Sequence, residues 1–79
     1  MNQEIFAKVK KVIVENLGVS EDRIVPEASL LDQLGADSLD LVELAMNLED
    51  QFGVTIDDAD IGQLKTVGDV VAYIEKNKK

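Results

Sequence analysis

Ser38 is the residue whose surroundings most invite chemistry. It lies in the run Gly35-Ala36-Asp37-Ser38-Leu39-Asp40. Aspartates at 37 and 40 have the spacing of a capping box with acids in both positions, so a helix should begin here with Asp37 as its N-cap. Ser38 is then the first helical residue. Its hydroxyl lies where unpaired backbone N–H groups and the positive helix end favour an anion. A phosphodiester on Ser38 would be well placed. An ordinary polar residue at a helix start fits the same local pattern. Nucleophilic catalysis fits poorly, because the chain has no histidine and the nearest bases, Arg23 and Lys65, are distant in sequence.

The missing residue types exclude whole classes of chemistry. Without histidine there is no Ser-His-Asp or Cys-His arrangement. Without cysteine there is no disulfide and no thiolate metal site. A chain of 79 residues is one small domain, expected to span 1–79, and should bury roughly 60% of the surface that it exposes when unfolded. No apolar run is long enough to cross a membrane, and the N-terminus lacks a signal-peptide core, so a cytoplasmic protein is expected.

Charge is concentrated in the middle of the chain. Residues 24–64 hold ten acids and no base, within a net charge of −8. Nucleic acid is an unexpected partner, since its phosphates are repelled. Calcium sensing also fits poorly. An EF-hand loop beginning at Asp57 would place Gly62 at position six, but Ala59, Ile61 and Gly68 fall where ligands are needed.

The elements that must position Ser38 follow from helical periodicity. Ile5, Val9, Val12 and Ile13 line one face of a first helix, with Phe6 and Leu17 beside it, between Asn2 as N-cap and Gly18 past its end. A long connection carries the only proline, Pro26, and a capping-box pattern at Ser29-Leu-Leu-Asp32. A second helix runs from near Ser38 to Gly53. Asp57-Asp-Ala-Asp60 could cap a brief third helix. Thr66-Val-Gly-Asp69 opens a last one, with Val67, Val70, Val71 and Ile74 on one face. Val54-Thr-Ile56 is the only β-like piece. The fold class is all-α, a small four-helix bundle of three main helices plus one short one.

On a helical wheel the second helix shows two apolar arcs. Leu41, Leu44, Ala45, Leu48 and Phe52 form a core face. Leu39, Val42 and Met46 form a second strip beside an acidic stripe of Asp40, Glu43, Asn47 and Asp50. The strip is either more core or an exposed patch rimmed by carboxylates, the composition of a docking surface.

The run Leu34-Gly-Ala-Asp-Ser-Leu-Asp40 resembles the attachment motif of acyl carrier proteins. The resemblance continues through Leu41-Val-Glu-Leu-Ala-Met46 and Leu48-Glu-Asp-Gln-Phe52. It also covers the first helix, the Leu17-Gly-Val turn and Lys65-Thr-Val-Gly-Asp69, nearly the whole chain in register. It implies a monomeric, non-enzymatic carrier of the dissociated bacterial and plastid type. In that reading Ser38 bears 4′-phosphopantetheine, whose thiol holds acyl groups as thioesters and hands them between enzymes of fatty acid biosynthesis.

Asp37 and Leu39 match the motif positions flanking the serine. The resemblance also implies that Glu43, Met46, Glu49 and Asp50, with Asp40, are positions that contact a phosphopantetheinyl transferase and basic-surfaced partner enzymes. Leu48, Ile56, Ile61 and Leu64 are expected to line an acyl cleft between the second, third and fourth helices. The chain departs from the family at Ile56-Asp-Asp-Ala-Asp-Ile-Gly62, where many members have a proline and a third helix richer in glutamate. A polyketide or peptidyl carrier is the near alternative, and an unmodified acidic interaction module the more distant one.

Overall fold

Three amphipathic helices and a single helical turn enclose one core in the computed structural model of the chain. It describes residues 2–77; Met1, Lys78 and Lys79, at the ends of the expected domain, lie outside the described residues. Helix α1 spans Gln3–Leu17, α2 Ser38–Phe52, α3 Asp58–Ile61 and α4 Val67–Asn77. A 3-10 turn at Glu21–Arg23 interrupts the long α1–α2 connection. Helix α1 packs against both α2 and α4, while α3 rests on α2.

Each long helix starts where its sequence can satisfy the orphan N–H groups of a first turn. The Asn2 side chain accepts from Glu4 N–H at 2.9 Å and Ile5 N–H at 3.1 Å. Thr66 Oγ1 accepts from Asp69 N–H at 3.1 Å, and the Asp69 carboxylate returns the bond to Thr66 N–H at 3.2 Å, the reciprocal box expected from this pattern. Helices α1 and α2 stop at Gly18 and Gly53, both in the left-handed region.

The core takes Ile5, Val9, Val12 and Ile13 from α1, Leu44, Ala45 and Leu48 from α2, and Val67, Val70, Val71 and Ile74 from α4. These are the faces that periodicity predicts. Connecting segments contribute as much as a helix does, through Ile24, Ala28, Leu30, Leu34, Ala36, Val54, Ile56 and Leu64.

Two local expectations are corrected. At Ser29 the hydroxyl does accept from Asp32 N–H at 3.2 Å, but Gln33 closes the box, its side-chain oxygen accepting from Ser29 N–H at 2.6 Å. The residues that follow form a short hydrogen-bonded turn, with Gln33 N–H donating to Ser29 O at 3.0 Å. Asp57 occupies the N-cap position of α3 without any side-chain capping bond. That helix is a single turn, so tertiary contacts rather than its own cap must hold it. Val54-Thr55-Ile56 is extended but belongs to no strand. Val54 and Ile56 are buried and Thr55 exposed, an alternation produced by laying the segment on the core.

Candidate attachment site and docking face

The loop that presents Ser38 is pinned from three directions. Leu34 and Ala36, four and two residues before the serine, are buried. Leu34 N–H donates to Ser29 O at 3.0 Å and Ala36 N–H to Leu30 O at 2.9 Å, with Gly35 between them at φ 73°. Only glycine takes that conformation without strain, and it turns the chain toward Asp37. The Arg23 guanidinium donates to the Gln33 carbonyl. The loop is also fastened to the start of α4: Leu30 N–H donates to Lys65 O at 2.9 Å, Val67 N–H to Ala28 O at 3.1 Å, and Gly68 N–H to Pro26 O at 2.9 Å. Sequence reasoning missed this fastening. Its one local signal is Gly68, where a Cβ would stand 3.0 Å from the Pro26 carbonyl oxygen.

At the end of this loop Asp37 caps α2. Its Oδ1 accepts from Asp40 N–H at 2.9 Å, and Asp40 Oδ2 accepts from Asp37 N–H at 3.2 Å. Each carboxylate therefore has an oxygen engaged with backbone. Ser38, the first residue of a 15-residue helix, is exposed. Among the described residues its own N–H and that of Leu39 have no protein acceptor.

Leu39, Val42 and Met46 are 66%, 41% and 59% exposed, so the second apolar strip of α2 is surface and not core. Glu43 and Asp50 are exposed and Asp40 half-buried along its edge. Glu49 stands apart from this stripe. It is half-buried, and its carboxylate accepts from Ile56 N–H at 2.8 Å, tying the α2–α3 connection to the helix. Leu48, Ile56 and Leu64 are brought together in the core, and Ile61 packs half-buried against it.

A shallow groove of about 240 Å³ runs between α3 and α4, lined by Leu64, Ala72 and Tyr73 with Asp60, Gln63 and Lys76 among its polar residues. Of the residues expected in an acyl cleft, Leu64 alone lines it. Tyr73 donates its hydroxyl proton to the Asp60 carboxylate at 2.8 Å, with the Thr55 carbonyl oxygen 3.3 Å away. That carboxylate, helped by partial burial, holds the phenol's proton above its ordinary value of 10.0. Among the described residues no set of three or more acidic side chains is arranged to hold a metal ion, and no helix is long and apolar enough to cross a membrane.

The comparisons with known proteins agree with this geometry. A family model described as a phosphopantetheine attachment site matches residues 7–74. An acyl carrier protein of Thermotoga maritima is 60% identical over 74 residues, which make up 94% of this chain and 91% of that protein. A solved acyl carrier protein from Enterococcus faecalis shares the fold with a TM-score of 0.81 at 36% identity, across 96% of each chain. The chain belongs to the acyl carrier proteins, carriers rather than enzymes that bear covalently attached 4′-phosphopantetheine.

Proposed function

We propose that Ser38 is the attachment residue and that the chain, a single domain and a monomer of the cytoplasm, ferries acyl thioesters between enzymes of fatty acid biosynthesis. The observation that carries this reading is the exposure of Ser38 at the start of α2, with unpaired N–H groups beside it. The residues present fit a phosphodiester. The hydroxyl would supply its bridging oxygen, and the helix end favours its negative charge. The two neighbouring aspartates would oppose that charge less than free carboxylates do, since each already accepts a backbone hydrogen bond. When attached, the group supplies a thiol at the end of a flexible arm, which suits a chain with no cysteine of its own.

The docking side would be the exposed strip of Leu39, Val42 and Met46 with Asp40, Glu43 and Asp50 on its edge. Glu49, bonded to Ile56 N–H, would contribute charge more than contact. Partners with basic surfaces, a phosphopantetheinyl transferase among them, suit this arrangement, because charge complementarity speeds encounter and still allows rapid release. Leu48, Ile56, Ile61 and Leu64 would shelter the acyl chain.

The test is the intact mass of wild type and Ser38→Ala after incubation with a phosphopantetheinyl transferase and coenzyme A. Wild type should gain the mass of one arm and the variant none, with the same helical circular dichroism. A mass gain in Ser38→Ala would move the attachment elsewhere.

A further inference from the structure

The segment from Val54 to Leu64 is held differently from the rest of the fold. Its helix, α3, is four residues long and lacks a side-chain cap. A helix so short has little stability of its own. Within it, Asp57 O accepts from Asp60 N–H at 2.9 Å and from Ile61 N–H at 3.1 Å. Beyond the packing of Val54, Ile56, Ile61 and Leu64, side chains of two other helices reach in to hold it. Glu49 of α2 fastens its beginning at Ile56. Tyr73 of α4 fastens its far side, with the phenol oxygen in reach of both Asp60 and Thr55. The Tyr73 ring packs against the core, so the hydroxyl and the ring perform separable tasks. The groove between α3 and α4 lies directly beside this hydroxyl and leads to the buried Leu64.

We propose that the Tyr73 hydroxyl is a latch. It fastens the stretch from Thr55 to Asp60 onto α4, and its release lets that stretch swing away, widening the groove so that an acyl chain can pass toward Leu64 and the core. The latch rests on the geometry alone, while its ligand rests on the reading of the chain as a carrier that shelters acyl groups. Local opening of this kind is expected where few bonds hold a short element and the neighbouring helices stay folded. Widening this groove would open a route from the surface to the buried Leu64 without unfolding α1, α2 or α4. Asp60 is the complementary half of the device. Its carboxylate lies on the moving segment, so one charge-assisted bond joins the two parts.

The experiment is amide hydrogen exchange on the full chain, comparing wild type, Tyr73→Phe, Asp60→Ala and the double variant. Tyr73→Phe keeps the ring and removes only the hydroxyl. The amides of Ile56, Asp60, Ile61, Gln63 and Leu64, all hydrogen-bonded in the closed form, should exchange about threefold faster or more. Amides of Val9 and Ile13 in α1 should not change. Asp60→Ala should accelerate the same reporters, and the double variant should go no further than the larger single effect, as for two ends of one bond. Unchanged reporters, a uniform acceleration across all helices, or fully additive effects would overturn the latch.

The ligand is tested separately on the holo forms loaded with an octanoyl or an acetyl thioester and cleaved by hydroxylamine. The octanoyl form should be cleaved faster in Tyr73→Phe than in wild type, and the acetyl form equally fast in both. Faster exchange with equal octanoyl cleavage would leave the latch standing and overturn the sheltered acyl chain.

Discussion

Asp37 and Asp40 hold each other's backbone across the first turn of α2, at 2.9 Å in one direction and 3.2 Å in the other, with Ser38 between them. Because both residues are bonded at main-chain atoms, the pair fixes the direction in which the chain enters the helix. The exposed serine inherits its position from that arrangement and not from any contact of its own side chain.

The cap can be separated from the charge. Asp37→Ala removes the acceptor for Asp40 N–H and should destabilise the protein by about 1 kcal/mol. For a chain of this size that lowers Tm by roughly 4–8 °C. Asp37→Asn keeps a side-chain oxygen for the same bond and should melt within about 2 °C of wild type, given how closely the two residues rank as caps. Thermal melts followed by circular dichroism decide this. Equal losses in both variants would show that charge, and not capping, is what Asp37 supplies.

Glu43 and Met46 should fail in different ways. Both are exposed, so Glu43→Lys and Met46→Ala should each change folding stability by no more than about 0.5 kcal/mol. With a partner enzyme, Glu43→Lys should raise KM and slow association. The deficit should shrink as salt rises, because exposed charges are screened beyond about 8–10 Å near physiological ionic strength. Met46→Ala should weaken docking with little salt dependence, since it removes apolar contact. Wild-type transfer by Glu43→Lys at low salt would count against the acidic edge as the docking side.

Tyr73 gives the fold a contribution to stability that depends on pH in the alkaline range. Its folded pKa is raised above 10.0, first by the bond to Asp60 and then by burial. The folded state therefore keeps this proton after the unfolded chain has lost it. The associated stability is complete below the ordinary value and drains away as pH climbs from there through the folded pKa. As the only tyrosine in the sequence, Tyr73 can be followed by phenolate absorbance. The midpoint should lie above 10.0 in wild type and fall in Asp60→Asn. Over the same range wild type should lose stability that Tyr73→Phe does not. A wild-type midpoint at or below the ordinary value would remove the bond from this account.

Gly68→Ala should reverse the usual helix rule. Alanine inside a helix is normally favoured over glycine by up to about 1 kcal/mol. Here the new Cβ would press at 3.0 Å on the Pro26 carbonyl oxygen, which is already fixed by accepting the Gly68 N–H. The substitution should lower Tm and accelerate amide exchange at Leu30 and Val67. A stabilised variant would mean that the loop yields freely.

The sequence made α1, α2 and α4 legible because their signals are local: a repeating apolar face, a polar cap at the start and, for α1 and α2, a glycine at the end. Ser38 and its two aspartates were legible for the same reason. The exposure of Leu39, Val42 and Met46 was left open, because a wheel orders the faces of a helix without saying how many neighbours it has. Tertiary bonds were not legible at all. Glu49 reads as one more acid of the docking stripe until its bond to Ile56 is seen. Tyr73 stands outside the apolar face that periodicity assigns to α4, and the partner of its hydroxyl lies thirteen residues earlier. The connection from Ile24 to Ala36 gave few periodic cues, because its buried residues are placed by turns and by main-chain bonds to another helix.

Those main-chain bonds set an order of events during synthesis. The amides of Val67 and Gly68 reach back to the carbonyls of Ala28 and Pro26, and Leu30 takes its acceptor from Lys65. A growing chain that has not yet delivered these later residues can make the bonds within the stretch in front of Ser38 but lacks those that fasten it to the start of α4. The serine is made well before residues 65–68, yet its setting is completed only once they have emerged. An enzyme that recognises the finished presentation of Ser38 would thus act on chains that include residues 65–68 and pass over shorter ones. A chain ending before Thr66 should be a much poorer acceptor of the arm than the 79-residue chain, even though it contains every residue from Leu34 to Asp40.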